Sequence, residues 1–167
     1  MKLHLFKPVL LPILVSIFLL SSCASSDRLT GRVVKVQDGD TFTLLTITDD
    51  QIKVRLYGID APENGQDFSR KSKEYLSDLV AGKKVTVEHK GTDQYKRVLG
   101  IAYVNKLNVN EEMLRKGFAW RYKYNKDPHY LELQEKARKK KLNIWSQKNP
   151  VDPWQWRKEQ KERSRKK

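Results

Sequence analysis

A segment of strict alternation between apolar and polar residues lies near residue 54. Ile52, Val54 and Leu56 are apolar, whereas Lys53 and Arg55 between them are charged. A period of two is that of a β-strand with one buried face, so Arg55 should point away from the apolar set. The segment therefore predicts a half-buried strand that carries a guanidinium on its polar face.

Further segments have the composition of β-strands. Within residues 41–48 the apolar phase changes between Leu44 and Leu45, which predicts either a bulge or burial on both faces. Asp49-Asp50 then predicts a turn. The remaining predicted strands are residues 33–36, one that contains Val85 and Val87, and residues 98–104, the last two being joined by the loop 91–97.

Three helices are predicted from apolar spacing and from signals at their ends. The first follows Phe68 and stops at Gly82. Asn108 with Glu111 resembles a capping box, and Asp127-Pro128 provides a cap and a first-turn proline. Short strands with one helix among them and others after them predict a mainly β fold with helices, a five-stranded OB-type β-barrel with about three helices.

The N-terminus has the features of an export signal. A basic start precedes an apolar run from Pro8 to Leu20, which is too short to span a bilayer but suits a secretory signal. Residues 20–23, LSSC, resemble a bacterial lipobox, in which cleavage before Cys23 leaves a lipid-bearing thiol. We expect a signal peptide at 1–22, a lipidated tether at 23–28 and a membrane-anchored lipoprotein of the cell envelope. An ordinary signal peptide with a chance cysteine is the alternative.

The charge balance narrows the class of partner. The chain has 34 Lys and Arg against 20 Asp and Glu, a net charge of +14, which favours a polyanion such as nucleic acid or an anionic membrane. Residues 147–167 form a basic C-terminal tail. A single cysteine excludes an internal disulfide and any multi-cysteine metal site.

Three carboxylates form the candidate site. With a turn centred on Asp49 and Asp50, the numbers of paired residues sum to about 99, which places Asp40 opposite Ile59 and beside Asp60. Glu63 follows after Pro62. Such carboxylates would repel one another without a cation, and oxygen ligands suit Ca²⁺. A nearby guanidinium, that of Arg55, suits phosphoryl chemistry. Turn aspartates with a solvated glutamate are the alternative.

Four motifs resemble, in order and spacing, those of the staphylococcal nuclease (thermonuclease) family. They are VQDGDT at 36–41, VRLYGIDAPE at 54–63, TDQYKR at 92–97 and KLNIW at 141–145. The resemblance covers residues 29–146. It implies an OB-type barrel that cleaves DNA and RNA with Ca²⁺, breaks the P–O5′ bond and leaves 3′-phosphates.

The resemblance also implies residue roles. Asp40 and Asp60 would bind Ca²⁺ directly, together with the main-chain carbonyl of Ala61, and Asp38 would support that site. The family often has Thr at the position of Ala61. The difference should not affect the site, because only the main-chain carbonyl of this residue would bind Ca²⁺.

The catalytic roles come from the same resemblance. Glu63 would position or deprotonate the attacking water. Arg55 and Arg97 would clamp the scissile phosphate and stabilise its phosphorane-like transition state.

The third motif departs from the family pattern. Lys96 stands where the family usually has Gly, and a positive φ there would cost about 1 kcal/mol or more. Gln94 replaces a common basic residue, so one phosphate contact is expected to be weaker. Substrate contacts are expected from Tyr95, Tyr122 and Tyr124, because aromatic side chains stack on bases or hydrogen-bond the nucleotide. A contact is also expected from Lys96, whose positive charge would lie beside the phosphate site.

Two functions remain open from the sequence. One is a monomeric, lipid-anchored, Ca²⁺-dependent nuclease. The other is a catalytically inactive barrel of the same family that only binds nucleic acid at the cell surface. Degenerate copies of the domain tend to lose the acidic and arginine residues, whereas this chain has all of them, which favours the enzyme.

Overall fold

Eight strands and four α-helices form in residues 27–166, the part of the chain that the computed structural model describes. The strands are β1 (Arg28–Val36), β2 (Thr41–Thr46), β3 (Gln51–Leu56), β4 (Ile59–Asp60), β5 (Lys84–Thr92), β6 (Val98–Val104), β7 (Leu107–Asn108) and β8 (Trp120–Arg121). The helices are α1 (Ser69–Val80), α2 (Val109–Arg115), α3 (Pro128–Lys139) and α4 (Pro153–Arg165), with a 3₁₀ turn at Asn143–Ser146.

Five of these strands close into a barrel. β1 pairs antiparallel with β2 and β5, β2 with β3, and β5 with β6. Parallel pairing of β3 with β6 completes the circle, which leaves few free sheet edges. The predicted five-stranded OB-type barrel is therefore confirmed.

The β2–β3 hairpin has a different register from the predicted one. Thr41 pairs with Arg55, and the backbone amide of Leu56 donates to the carbonyl of Asp40, so Asp40 lies opposite Leu56 and not Ile59. The turn lies earlier than predicted because the Thr48 hydroxyl donates to Asp50 Oδ2 at 2.7 Å and so stabilises the turn. Local hydrogen bonds of threonine compete here with its strand propensity.

Burial on both faces of β2 explains its change of apolar phase. Residues 41–44 are all buried, including Thr41 and Thr43. The bulge lies instead in the partner strand, where the β1–β2 register shifts between Val33 and Lys35.

The helix ends follow the predicted signals, with one helix more than expected. The Asn108 side chain accepts from the amide of Glu111, and the Asp127 side chain accepts from the amide of His129. Both predicted caps are confirmed. The fourth helix, α4, forms in the segment treated above as a basic tail, and Asp152 caps it through the amide of Gln155.

The core fills the barrel and the space beneath the helices. Phe42, Leu44, Val54 and Leu56 from β2 and β3 are almost completely buried against side chains of α1 and α2. A second, smaller cluster joins Trp120, Ile144 and Trp145. This cluster packs α3 and the 3₁₀ turn beside β8, the strand that pairs with β4.

The predicted signal peptide and Cys23 lie outside the described residues. Within residues 27–166 no helix combines the length and the hydropathy that a bilayer crossing would need.

Candidate active site

An open cleft of about 1160 Å³ lies on one side of the barrel. Its lining comes from the loop before β2, the end of β3, β4 and the loop after it, the start of α1, the loop before β6, the loop after β8 and helix α4. Among the residues that line it are Asp38, Asp40, Arg55, Ala61, Glu63, Asp93, Tyr95, Arg97, Tyr122, Tyr124 and Arg157.

Arg55 bridges two buried carboxylates at the bottom of the cleft. Its Nη1 atom donates to Asp40 Oδ1 at 2.6 Å and its Nη2 atom donates to Asp60 Oδ1 at 2.7 Å. Asp40 and Asp60 are 3% and 4% exposed. The two aspartates meet as predicted, although the hairpin register differs.

Local backbone geometry holds each aspartate. The amide of Asp40 donates to Asp38 Oδ1 at 3.0 Å, and Asp40 Oδ2 accepts from the amide of Ala61 at 2.9 Å. Gly39, between Asp38 and Asp40 in the chain, packs tightly on α1. A Cβ atom at this position would lie 2.0 Å from Ser72 Oγ. Asp60 is held by the pairing of β4 with β8.

Burial dominates the electrostatics of this cluster. It raises the pKa of Asp40 to about 7, although Arg55 acts in the opposite direction. Burial also opposes the charge of Arg55, but Asp40 and Asp60 outweigh it and raise the pKa of the guanidinium. Arg55 therefore stays charged between the two carboxyl groups.

The loop before β6 places Arg97 in the same cleft. Arg97 Nε donates to Asp93 Oδ2 at 2.7 Å, and Nη2 lies 2.7 Å from the same oxygen. Lys96 adopts φ 61°, so this position does require the left-handed backbone that the family usually gives to Gly.

Glu63 lies at the edge of the cleft beside helix α4. Its amide donates to Gln66 Oε1 at 3.0 Å, and Gln66 Nε2 donates to the carbonyl of Val151 at 2.6 Å. Its carboxylate forms an ion pair with Arg157 Nη1. Arg157 also donates to Asp60 Oδ2 from Nη2 at 2.8 Å.

The predicted aromatic contacts lie at the rim. Tyr95 and Tyr124 are about 70% exposed, and Tyr122 meets Tyr124 edge to face at a ring distance of 5.5 Å. All three rings line the cleft, whereas the exposed Lys96 is not among its lining residues. Their contact with substrate stays a prediction.

The donor set matches a hard cation in part. Asp40 and Asp60 offer buried carboxylate oxygens, and the backbone of Ala61 is adjacent. In the part of the chain from 27 to 166, however, no three acidic, histidine or cysteine side chains converge into a metal cage. Arginines link the three expected carboxylates instead. Arg55 joins Asp40 to Asp60, and Arg157 joins Asp60 to Glu63. A cation would need main-chain carbonyl and water ligands beside the two aspartates, a set that Ca²⁺ accepts.

Two residues of the site had no assigned role from the sequence. Asp93 is part of the third motif, and its spacing of four from Arg97 is compatible with an ion pair. Arg157 lies 97 residues from Asp60 in a run of basic residues, so no local pattern distinguished it from its neighbours.

Comparison with known proteins shows the family of this chain. Residues 53–147 match the family described as "Staphylococcal nuclease homologue". The chain is 48% identical over 156 residues to an "Uncharacterized endonuclease" of Haemophilus influenzae, covering 93% of this chain and 88% of the relative. It is 46% identical over 129 residues to an "Uncharacterized endonuclease" of Escherichia coli, covering 76% and 84%. It is 37% identical over 143 residues to a "Micrococcal nuclease" of Shigella flexneri, covering 78% and 82%. The chain belongs to the staphylococcal nuclease family.

Proposed function

We propose that the protein is a Ca²⁺-dependent nuclease that hydrolyses phosphodiester bonds of DNA, RNA or both and leaves 3′-phosphate ends. The observation that carries this proposal is the Arg55 guanidinium held between Asp40 and Asp60 in an open cleft that also contains Arg97. Membership of a nuclease family supports the same reaction class.

The two arginines bind the scissile phosphate. Arg55 uses two of its five N–H groups on the aspartates, and Arg97 uses Nε and one Nη2 proton on Asp93, so each keeps three for phosphate oxygens. Negative charge grows on those oxygens as water adds to phosphorus. Donors that are fixed before the reaction stabilise that charge without reorganisation.

Glu63 serves the attacking water, by positioning it or by accepting its proton. Its carboxylate lies at the open edge of the cleft and is 37% exposed, so water reaches it. As the P–O5′ bond breaks, the 5′ oxygen takes up a proton and the phosphate remains on the 3′ side. The N–H groups that Arg55 and Arg97 keep free would donate to the departing oxygen and assist it.

Calcium, held by Asp40, Asp60 and the carbonyl of Ala61, would supply Lewis-acid stabilisation of the phosphate oxygens. Asp38 would keep Asp40 oriented, because it accepts the hydrogen bond of the Asp40 amide.

We also propose that the protein is exported and anchored by lipid on Cys23. The support is the LSSC motif directly after an apolar run of signal-peptide length. Several acyl chains would give stable anchoring, whereas one gives only marginal binding.

The test is cleavage of single-stranded DNA and of RNA by the purified protein, with Ca²⁺ or with a calcium chelator. We expect cleavage only with Ca²⁺, and end-group analysis should find 3′-phosphates. Binding without cleavage in Ca²⁺ would identify the inactive, nucleic-acid-binding alternative and contradict the enzyme proposal.

A further inference from the structure

The C-terminal helix inserts a third arginine into the cleft. Arg157 reaches both oxygens of Asp60, with Nη1 3.2 Å from Oδ1 and Nη2 2.8 Å from Oδ2, and it also pairs with Glu63. The Arg157 guanidinium thus binds both Asp60, which is expected to ligate the cation, and Glu63, which is expected to position or deprotonate the attacking water.

This contact competes directly with a cation at Asp60. Oδ1 of Asp60 accepts from Arg55 and Arg157, and Oδ2 accepts from Arg157. These bonds occupy three of the about four acceptor sites of the Asp60 carboxylate, and Arg157 holds two of the three. A divalent cation that approaches Asp60 therefore competes with Arg157 both for these oxygens and through the repulsion of like charges. Asp40 has no such competitor from α4, because its partners are Arg55, Thr41 and the amide of Ala61.

Helix α4 has other anchors, so the loss of one bond leaves it in place. Pro153 is buried, and the Gln66 side chain donates to the carbonyl of Val151. The Nζ atom of Lys123 lies 3.9 Å from the centre of the Trp154 ring. A displaced Arg157 guanidinium consequently remains in the cleft that Arg55 and Arg97 share.

The charge balance indicates where that guanidinium goes. Without a cation, the carboxylates of Asp40, Asp60 and Glu63 face the guanidinium groups of Arg55 and Arg157. A divalent cation makes the cluster net positive, and a phosphodiester supplies the negative charge that balances it. Arginine suits this exchange because its planar fork fits carboxylate and phosphate equally well.

We propose that Arg157 is a phosphate-binding residue of the active site, held on Asp60 and Glu63 until a divalent cation takes Asp60. This inference rests on the proposed Ca²⁺-dependent function. It assigns to α4 a part in substrate binding beside the two arginines of the barrel.

The test measures binding and not turnover, with full-length protein and isothermal titration calorimetry. Calcium alone is the first probe. Thymidine 3′-monophosphate, which has no phosphodiester bond to cleave, is the second probe and is added to calcium-saturated protein. The variants are Arg157→Gln, Arg157→Lys and, as a matched control on the exposed end of the same helix, Arg163→Gln.

We expect Arg157→Gln to bind calcium about three- to tenfold more tightly, since the competing ion pair is gone. The same variant should bind the nucleotide several-fold more weakly. Arg157→Lys should fall between wild type and Gln in both titrations. The calcium and nucleotide affinities of Arg163→Gln should stay within about twofold of wild type. This control distinguishes the loss of the Arg157 contacts from the loss of one positive charge on the helix.

Calcium affinity of Arg157→Gln equal to that of wild type, or an unchanged nucleotide affinity, would overturn this inference while leaving the proposed nuclease function intact. Failure of wild type and all variants to bind calcium would contradict the calcium dependence itself and this inference with it. A thermal unfolding curve of each variant verifies that it is folded.

Discussion

Asp93 holds both the backbone and the guanidinium of Arg97. Asp93 Oδ1 accepts from the Arg97 amide at 3.0 Å, and Oδ2 accepts from Nε at 2.7 Å. The Asp93 amide donates to the carbonyl of Arg97 at 3.0 Å, which closes the loop. Arg97 is therefore oriented before any substrate binds, and less entropy is lost when it meets a phosphate.

Asp93→Asn should lower kcat by about tenfold or more, because the amide keeps one acceptor but loses the charge that orients the guanidinium. Steady-state cleavage in Ca²⁺ measures this. In an Arg97→Ala background, Asp93→Asn should lower kcat little further, because the guanidinium that Asp93 orients is already absent. Equal, independent losses in the two backgrounds would argue against a role through Arg97.

The Asp93 loop should also be sensitive to acid. Burial acts to raise the pKa of Asp93, but hydrogen bonds from the Arg97 and Tyr95 backbones and from the Arg97 side chain outweigh it and lower the pKa below 3.8. A carboxyl whose folded pKa is lowered contributes stability above its unfolded pKa and loses that contribution as pH falls through the folded value. The difference in free energy of unfolding between wild type and Asp93→Asn should therefore be largest above pH 3.8 and shrink below it. Urea unfolding at several pH values tests this, and a difference independent of pH would contradict it.

Lys96→Gly should stabilise the fold by up to about 1 kcal/mol, because Lys96 adopts φ 61° and Gly removes the Cβ strain of that conformation. The gain is limited by the larger entropy that Gly loses on folding. Lys96→Ala, which keeps the Cβ atom, is the matched control and should show no gain. Urea unfolding of the three proteins decides the point, and equal stability of the Gly and Ala variants would contradict the strain argument.

Arg55→Ala and Arg97→Ala should each lower the cleavage rate by about 10²- to 10³-fold, since each removes a donor to the developing phosphate charge. Their stabilities should differ. Arg55→Ala removes the ion-pair partner of the buried Asp40 and one of the two ion-pair partners of Asp60, and it should cost about 3–5 kcal/mol. Arg97→Ala leaves the carboxylate of Asp93 without its ion-pair partner. Asp93 is more exposed than Asp40 and Asp60, so the loss in free energy of unfolding should be much smaller.

Rates are therefore compared at a temperature where both variants are folded, as verified by circular dichroism. Retention of full activity by either variant would remove that arginine from the proposed mechanism.

Cys23→Ala should move the protein from the membrane fraction to the soluble fraction of expressing cells, because it removes the thiol proposed to carry the lipid. Fractionation with immunoblotting measures the distribution, and metabolic labelling with a radioactive fatty acid should mark wild type only. Unchanged fractionation with membranes would contradict the lipoprotein proposal.

Local signals were enough to predict several elements of this protein. The caps at Asn108 and Asp127 form as predicted because capping is a contact between residues two or three apart. The hairpin pairing and the family motifs predicted one site with Arg55, Asp40 and Asp60. The structure has all three in contact although the hairpin register differs, because the side chain of Arg55 bridges the two aspartates.

Register and long-range contacts required the tertiary structure. The β2–β3 turn is set by hydroxyl and carboxylate hydrogen bonds of Thr48 and Asp50, which strand propensity alone does not show. The family and the barrel could be predicted without coordinates, because alternation, caps and motif spacing are local properties of the chain. The position of Arg157 against Asp60 and Glu63 could not be predicted in this way. That contact joins residues more than 90 positions apart and depends on the packing of Pro153 and Trp154 at the start of α4.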